Sequence, residues 1–272
     1  MEPFFLATDS GRRFCVFYPP AVAVRGIVVY AHPWAEEMNK SRRMAAEMAR
    51  QMARSGFAVL QLDLAGCGDS DGDFADASWD AWLEDIDRAA AWLQQRYPAA
   101  PLLLWGLRVG ALLAVEYAAA HHNCSRVLLW SPVLNGEQFL TQFLRLRVAN
   151  QMLAGNQQEG GTQQLLQQLQ AGEGVEVAGY TLAPALALPL AQRKLGAFAR
   201  AGLQIEWFEL LSSAERPLPP VVEKVAQDWR EHQSQVNVHK LVGEVFWNTQ
   251  EITVVPALWQ RSLQALVSAD VI

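Results

Sequence analysis

Residues 102–114 read LLLWGLRVGALLA: a short apolar run enters Gly106-Leu107-Arg108-Val109-Gly110, and a helix-forming stretch follows. This is the setting of a nucleophile elbow, Gly-x-Ser-x-Gly, where a tight strand-to-helix turn presents a serine hydroxyl to a carbonyl. Here the central residue is Arg108, which keeps its proton at any working pH and cannot attack. Gly106 and Gly110 bracket a turn in which an added side chain would meet neighbouring backbone. The central residue of such a turn carries strain on the order of 1–3 kcal/mol. Gly-x-x-x-Gly spacing is common by itself; its place after LLLW and before ALLAVEYAAA gives it weight.

Two further stretches carry candidate chemistry. AHPWAEEMNKSRR (31–43) follows an apolar run, and LDLAGCGDSDGDF (62–74) is a glycine- and aspartate-rich loop. In the loop, Asp63 and Ser70 are expected to fix the backbone by accepting from N–H groups. Cys67 is a weak candidate for a replacement nucleophile, since a thiolate needs a nearby base or cation. A small buried cysteine is the preferred reading. His32 is expected to hold its turn by hydrogen bonds.

The 272 residues, 51% hydrophobic and 18% charged, suit one large α/β domain or a domain with an insertion. A net charge of −6 and a pI near 5.4 argue against a nucleic-acid or anionic-membrane surface. Lys40, Arg42 and Arg43 read as one solvated helix face. Cys15, Cys67 and Cys124 are odd in number and lack metal-ligand spacing, so no metal is expected and a reducing, cytoplasmic setting is. The start MEPFFLATDSGRRF lacks the basic and long apolar regions of a signal peptide. Tyr180 to Ala191 is too short for a span of about 20 residues, and Pro184 and Pro189 interrupt it.

Strands are expected at 13–18, 26–31, 57–63, 101–105, 126–130, 203–210 and 235–242. Helices are expected at 38–55, 78–95, 108–121, 219–233 and 256–267. Met44, Met48 and Met52 recur at helical spacing and read as core. Ser78 reads as an N-cap before the buried stripe Trp79, Trp82, Ile86 and Ala90. Alternating strands and helices imply a parallel sheet wrapped by helices. The whole describes the α/β-hydrolase arrangement: a mostly parallel eight-stranded sheet flanked by helices, with a helical cap inserted after strand six. Residues 1–133 and 203–272 would form the core, and 134–202 the cap or lid. The glutamine-rich segment 154–174 is low in apolar residues and could equally be a flexible surface excursion.

That fold implies a triad in the chain order Ser, acid, His, with oxyanion donors from the turn at Pro33-Trp34-Ala35 and from Val109. Arg108 fills the serine position. The loop expected to carry the base, GEVFWNTQE (243–251), has no histidine. After strand 203–210 the acid could only be Glu215. His239 falls within the last strand, several residues early, and alternation with Val236 and Val238 suggests an outward or packing role. Without serine and base the acyl-enzyme route is closed.

HPWAEEMNKSRRM, DLAGCGDSDGDF, GLRVGALLA and GEVFWNTQEI together resemble the second of the two hydrolases associated with the bacterial exosortase A system. The similarity spans most of the chain except the glutamine-rich segment. The resemblance implies an α/β-hydrolase-superfamily protein encoded beside exosortase and exopolysaccharide genes, near acyl-activating and carrier proteins. Its hydrolase label rests on fold, which does not establish chemistry.

A cation at the N-terminus of a helix is disfavoured by about 0.3–1 kcal/mol, and burying it unpaired costs several kcal/mol more, so something negative must be close. Glu36, Glu37, Asp69, Glu244 and Glu251 lie in loops expected at that sheet edge. An internal ion pair is the expectation for the empty protein, and a ligand carboxylate or phosphate could exchange partners with it. The expected function is a hydrolase-derived pocket without cofactor, binding an acyl or other anionic small molecule through Arg108, Val109, His32, Trp34, Glu36, Glu37, Asp69 and Glu251. One alternative is an active ester or thioester hydrolase or acyltransferase using Cys67 or a water activated by Glu36, Glu37 or Glu251. Another is a scaffold for a protein partner, given ten tryptophans.

Overall fold

The computed structural model of the chain describes residues 1–153 and 161–268. It opens with a hairpin, β1 (Glu2–Thr8) and β2 (Gly11–Tyr18), paired antiparallel. β1 was not among the strands expected from the sequence. Its run PFFLA hides the alternation: Phe4 and Leu6 turn inward, while Phe5 on the other face stays 48% exposed. β3 (Gly26–Ala31) is buried at every residue, as a strand covered on both faces should be. α1 (Ala35–Arg54) starts three residues before the expected 38, so Glu36 and Glu37 occupy its first turn rather than a loop. Carboxylates there favour an early start, because they face the positive end of the helix. Met44, Met48 and Met52 are fully buried along its inner face.

β4 (Phe57–Leu62), α2 (Trp79–Arg96), β5 (Leu102–Leu107), α3 (Val109–Ala120) and β6 (Cys124–Trp130) follow in alternation. Ser78 caps α2, its hydroxyl accepting from Ala81 N at 3.2 Å. After β6 come α4 (Gly136–Leu153), α5 (Gly161–Gln170), the hairpin β7 (Val175–Val177) and β8 (Tyr180–Leu182), and α6 (Pro184–Gln192). β9 (Gln204–Leu211), α7 (Pro220–Glu231), β10 (Gln235–Val242) and α8 (Pro256–Ser268) complete the chain. The large sheet has eight strands in the order β1-β2-β4-β3-β5-β6-β9-β10, with β1-β2 and β2-β4 antiparallel and the rest parallel. This is the α/β-hydrolase fold. No helix among the described residues is long and apolar enough to cross a membrane.

The excursion between β6 and β9 departs from an all-helical expectation. β7 and β8 are three residues each, too short to leave a periodic trace, and Ala178 and Gly179 turn them with φ of +51° and +85°. Within the glutamine-rich segment, 161–170 is helical because Leu165 and Leu169, four apart, bury against the core; residues 154–160 lie outside the described residues. Arg193, just past α6, anchors the excursion through two bonds to the Glu116 carboxylate on α3, at 2.9 and 3.0 Å.

The elbow is held by backbone contacts. A Cβ on Gly106 would lie 2.4 Å from Ala111 Cα, and one on Gly110 would lie 2.1 Å from the Ala31 carbonyl oxygen. Between them Arg108 has φ +56° and ψ −118°, a region that L residues rarely occupy. The loop 62–74 is tied from below. Arg13 Nε donates to Asp85 Oδ1 at 2.7 Å, both groups almost wholly buried, and Asp85 Oδ2 accepts Ala65 N at 2.7 Å. Asp63 Oδ2 accepts Asp69 N, and Ser70 Oγ accepts Phe14 N while donating to the Asp63 carbonyl.

Two stability predictions follow from these contacts. Asp85→Ala leaves the Arg13 guanidinium buried and unpaired, and should lower the unfolding free energy in urea by about 3–5 kcal/mol. Gly110→Ala drives a methyl into the Ala31 carbonyl and should cost roughly 1–3 kcal/mol or more in the same measurement.

Candidate functional site

A cavity of about 410 Å³ opens at the carboxyl edge of the sheet, and Arg108 lies in its wall. Five segments fix this side chain. The elbow at the end of β5 supplies its backbone, with Arg108 N donating to Trp130 O at 3.1 Å. The first turn of α1 brings Glu37, whose Oε1 accepts from Arg108 Nε at 3.3 Å. The end of β6 brings the Ser131 carbonyl, which accepts from Nη1 at 3.2 Å. Trp247, after β10, sets its ring centre 5.1 Å from the guanidinium carbon, and Phe139 on α4 lies 5.7 Å away on another side. Among the described residues Nη2 has no protein acceptor.

Of the five carboxylates expected near Arg108, the structure selects Glu37. Burial pushes its carboxyl above the usual range, opposed by attraction to Arg108, and its Oε2 has no partner among the described residues. Glu36 is exposed at the mouth, where its Oε2 accepts from the Tyr180 hydroxyl at 3.2 Å. Asp69, Glu244 and Glu251 are exposed and do not line the cavity; Asn248, Thr249 and Gln250 do so in place of Glu251.

Trp34 does line the cavity, packed 4.9 Å from Phe143 and 5.2 Å from Phe139, with its Nε1 unpartnered among the described residues. Val109 is buried as the first residue of α3, and Ala35 in the cavity wall opens α1, so two helix N-termini converge here. Their first N–H groups have no intrahelical acceptor.

His32 is not part of this wall. Its Nε2 accepts from Leu64 N at 3.0 Å, so Nδ1 carries the hydrogen and donates to Pro33 O at 2.6 Å. Burial lowers its pKa and keeps it neutral while it ties the two turns together.

The remaining candidates lie apart. Cys67 is buried, and desolvation together with Asp63 and Asp85 drives its thiol far above the ordinary value, the reverse of an activated thiolate. Glu215 is exposed beyond β9. His239 stacks on Phe208 and its Nε2 is 2.6 Å from Glu206 Oε2, in a separate groove on β10. Among the described residues no Ser, Cys or His lines the Arg108 cavity. Among the described residues no group of three His, Cys, Asp or Glu side chains is placed to hold a metal.

In the basic run Arg42 and Arg43 are exposed, as a solvated face should be, and Lys40 departs from it. Lys40 lines the cavity, with Nζ donating to Gln250 O at 2.8 Å, and Arg42 makes a two-pronged contact with Asp63 at 3.1 and 3.3 Å. Lys40 lies three residues past Glu37 on the same helix, and that spacing was the available signal. Phe139, Ser131 and Trp247 had no comparable signal, since their arrival depends on how distant segments pack.

The neighbours of this architecture are esterases and related hydrolases. Est1E from Butyrivibrio proteoclasticus, solved with ferulic acid bound, superposes with a TM-score of 0.69 at 11% identity, over 97% of this chain and 98% of that one. A highly thermostable carboxyl esterase from Bacillus coagulans, in complex with glycerol, gives 0.68 at 16% identity over 98% of both chains. An α/β serine hydrolase without a lid from Xanthomonas campestris gives 0.57 at 16%, over 98% and 94%. At such identities the likeness concerns the fold. No curated protein matches the chain in sequence. The family model described as serine aminopeptidase, S33, matches residues 22–172, more than half of the chain. The chain belongs to this family of the α/β-hydrolase superfamily.

Proposed function

We propose that this protein binds an acyl or other small organic anion in a cleft inherited from a hydrolase, without serine-type hydrolysis. The observation that carries the reading is Arg108 itself. It occupies the strained elbow position, and one edge of its guanidinium has no protein acceptor among the described residues. That edge, beside two helix N-termini and against apolar walls, suits a carboxylate or phosphate. Residues 1–133 and 203–272 act as the core and 134–202 as a cap, a division supported by the four α4 residues that line the cavity, Phe139, Gln142, Phe143 and Leu146.

The four stretches that resemble the exosortase-associated hydrolases support a bacterial, exopolysaccharide-linked setting, where activated acyl groups and their carriers are natural ligands. Three free, buried cysteines fit a cytoplasmic location. The scaffold alternative gains little, because eight of the tryptophans are buried.

A second reading, turnover of an ester or thioester, rests on Glu37, a half-buried side chain with one enclosed carboxyl oxygen unpartnered among the described residues, which could activate water. Cys67 is not a nucleophile under this reading, given its raised pKa.

Calorimetry separates these readings. Hexanoate should bind the wild type, and Arg108→Ala should weaken it about tenfold to a hundredfold, the worth of a charge-assisted hydrogen bond. Equal binding by both proteins would remove the proposal. Release of p-nitrophenol from acyl esters by the wild type, lost in Glu37→Gln, would favour turnover instead.

A further inference from the structure

An anion arriving at Arg108 meets a carboxylate already there. Glu37 Oε1 is 3.3 Å from Arg108 Nε, while Oε2 is cut off from solvent and unpartnered among the described residues. The charges around Glu37 are few. On α1 itself, Glu36 is exposed and accepts from Tyr180, and Lys40 is bonded to the Gln250 carbonyl. α4 brings Phe139, Gln142, Phe143 and Leu146 to the cavity, and residues 247–250 bring an indole, amides and a hydroxyl, none titratable. Glu209 on β9 is pushed above the ordinary carboxyl range by burial, opposed by the bond it accepts from Trp207 Nε1 at 3.0 Å and by the charge of Arg108. Arg108, Lys40, Glu36 and Glu37 are the charged residues of the described lining, and their formal charges sum to zero.

A ligand carboxylate on the open guanidinium edge would put two carboxylates on one cation, against aromatic walls. Like charges so close cannot both stay ionised, and Glu37 is the member already pushed toward its neutral form by burial. A monoanion arriving with one proton from solvent leaves the site's charge unchanged. A dianion leaves one negative charge without a partner.

We propose that Glu37 sets the specificity of this site. The ligand's carboxylate and Glu37 share the Arg108 guanidinium, and the pair takes up one proton. The cleft therefore takes monoanionic carboxylates with proton uptake and turns away phosphate-monoester dianions. This rests on the anion-binding reading above and names its ligand class. The complex holds more protons than its separated parts, so affinity rises as pH falls. The slope reaches about tenfold per pH unit between the Glu37 pKa of the free protein and that of the complex. Below the former it flattens.

The test is titration calorimetry with hexanoate and with pentyl phosphate, from pH 6 to 8, in buffers of different ionisation enthalpy. Hexanoate should bind with uptake approaching one proton and should weaken as pH rises. Pentyl phosphate at pH 8 should bind at least about tenfold more weakly, as a second uncompensated charge in a poorly solvated site requires. In Glu37→Gln the hexanoate binding that remains should carry neither the uptake nor the pH slope, and the preference for hexanoate over pentyl phosphate should shrink; Glu209→Gln should keep the uptake. If Glu37→Gln does not fold, the wild-type proton count and pH series decide alone. Arg108-dependent hexanoate binding without proton uptake would overturn the role given to Glu37 and leave the anion pocket standing. Absence of binding by either ligand would overturn both.

Discussion

The Arg108–Glu37 ion pair stands between two helix N-termini, and its geometry follows from both. Arg108 is the residue before α3, where a positive charge meets the positive end of the helix and is disfavoured. Glu37 is in the first turn of α1, where a negative charge is favoured. The carboxylate that best offsets the misplaced guanidinium is thus one the neighbouring helix already accommodates. Ser131 completes the arrangement by turning its carbonyl to Nη1 from a backbone with φ +40°. Charge on one element, compensation on a second and orientation on a third explain why the guanidinium stays in the cleft instead of reaching for solvent.

That placement shapes everything else about the cleft. Nε and Nη1 are used internally, so the side chain is held in place, and its guanidinium carbon lies 5.1 Å from the Trp247 ring centre and 5.7 Å from that of Phe139. Apolar walls strengthen a charge-assisted bond made there, and they also raise the penalty for any charge left over. The excursion that provides these walls is anchored outside the cleft, through Arg193 on Glu116 and the Trp79 indole on the same carboxylate at 2.8 Å. Its attachment therefore does not compete with the polar groups at the floor.

Much of the frame was legible because its signals are local. β3 and β5 are unbroken apolar runs, β6 ends in one from Val127 to Trp130, and Ser78 announces the start of α2. The glycines of the elbow declared a tight turn that the Ala31 carbonyl and Ala111 backbone enforce. β1 was missed because an exposed Phe5 breaks its alternation, and β7-β8 because three residues carry no period. That a carboxylate must face Arg108 could be argued from charge alone. That it would be Glu37 could not, because five acidic residues qualified until the start of α1 was fixed. The extra helical turn from Ala35 sends Glu37 inward and Glu36 outward, a difference of one residue that no loop reading resolves. His239 and Glu215 were placed apart from the cleft by strand register and loop exposure, both set by contacts far along the chain.

Keeping the elbow does not argue for keeping the reaction. A residue at φ +56° costs on the order of 1–3 kcal/mol, and strain of that size persists only where surrounding structure over-determines it. Here the determinants are backbone: Gly110 against the Ala31 carbonyl, Gly106 against Ala111, and the Arg108 carbonyl accepting both Ala111 N and Val133 N. None of them involves the side chain at the centre. The turn would keep its shape with serine, arginine or alanine there, so the strain belongs to the fold and the side chain alone decides the chemistry. With a guanidinium at that point, the N–H groups and helix ends that elsewhere steady a developing oxyanion have a permanent cation beside them. On the function proposed above, such a site holds a negative charge that the ligand brings with it and needs no reaction to create one.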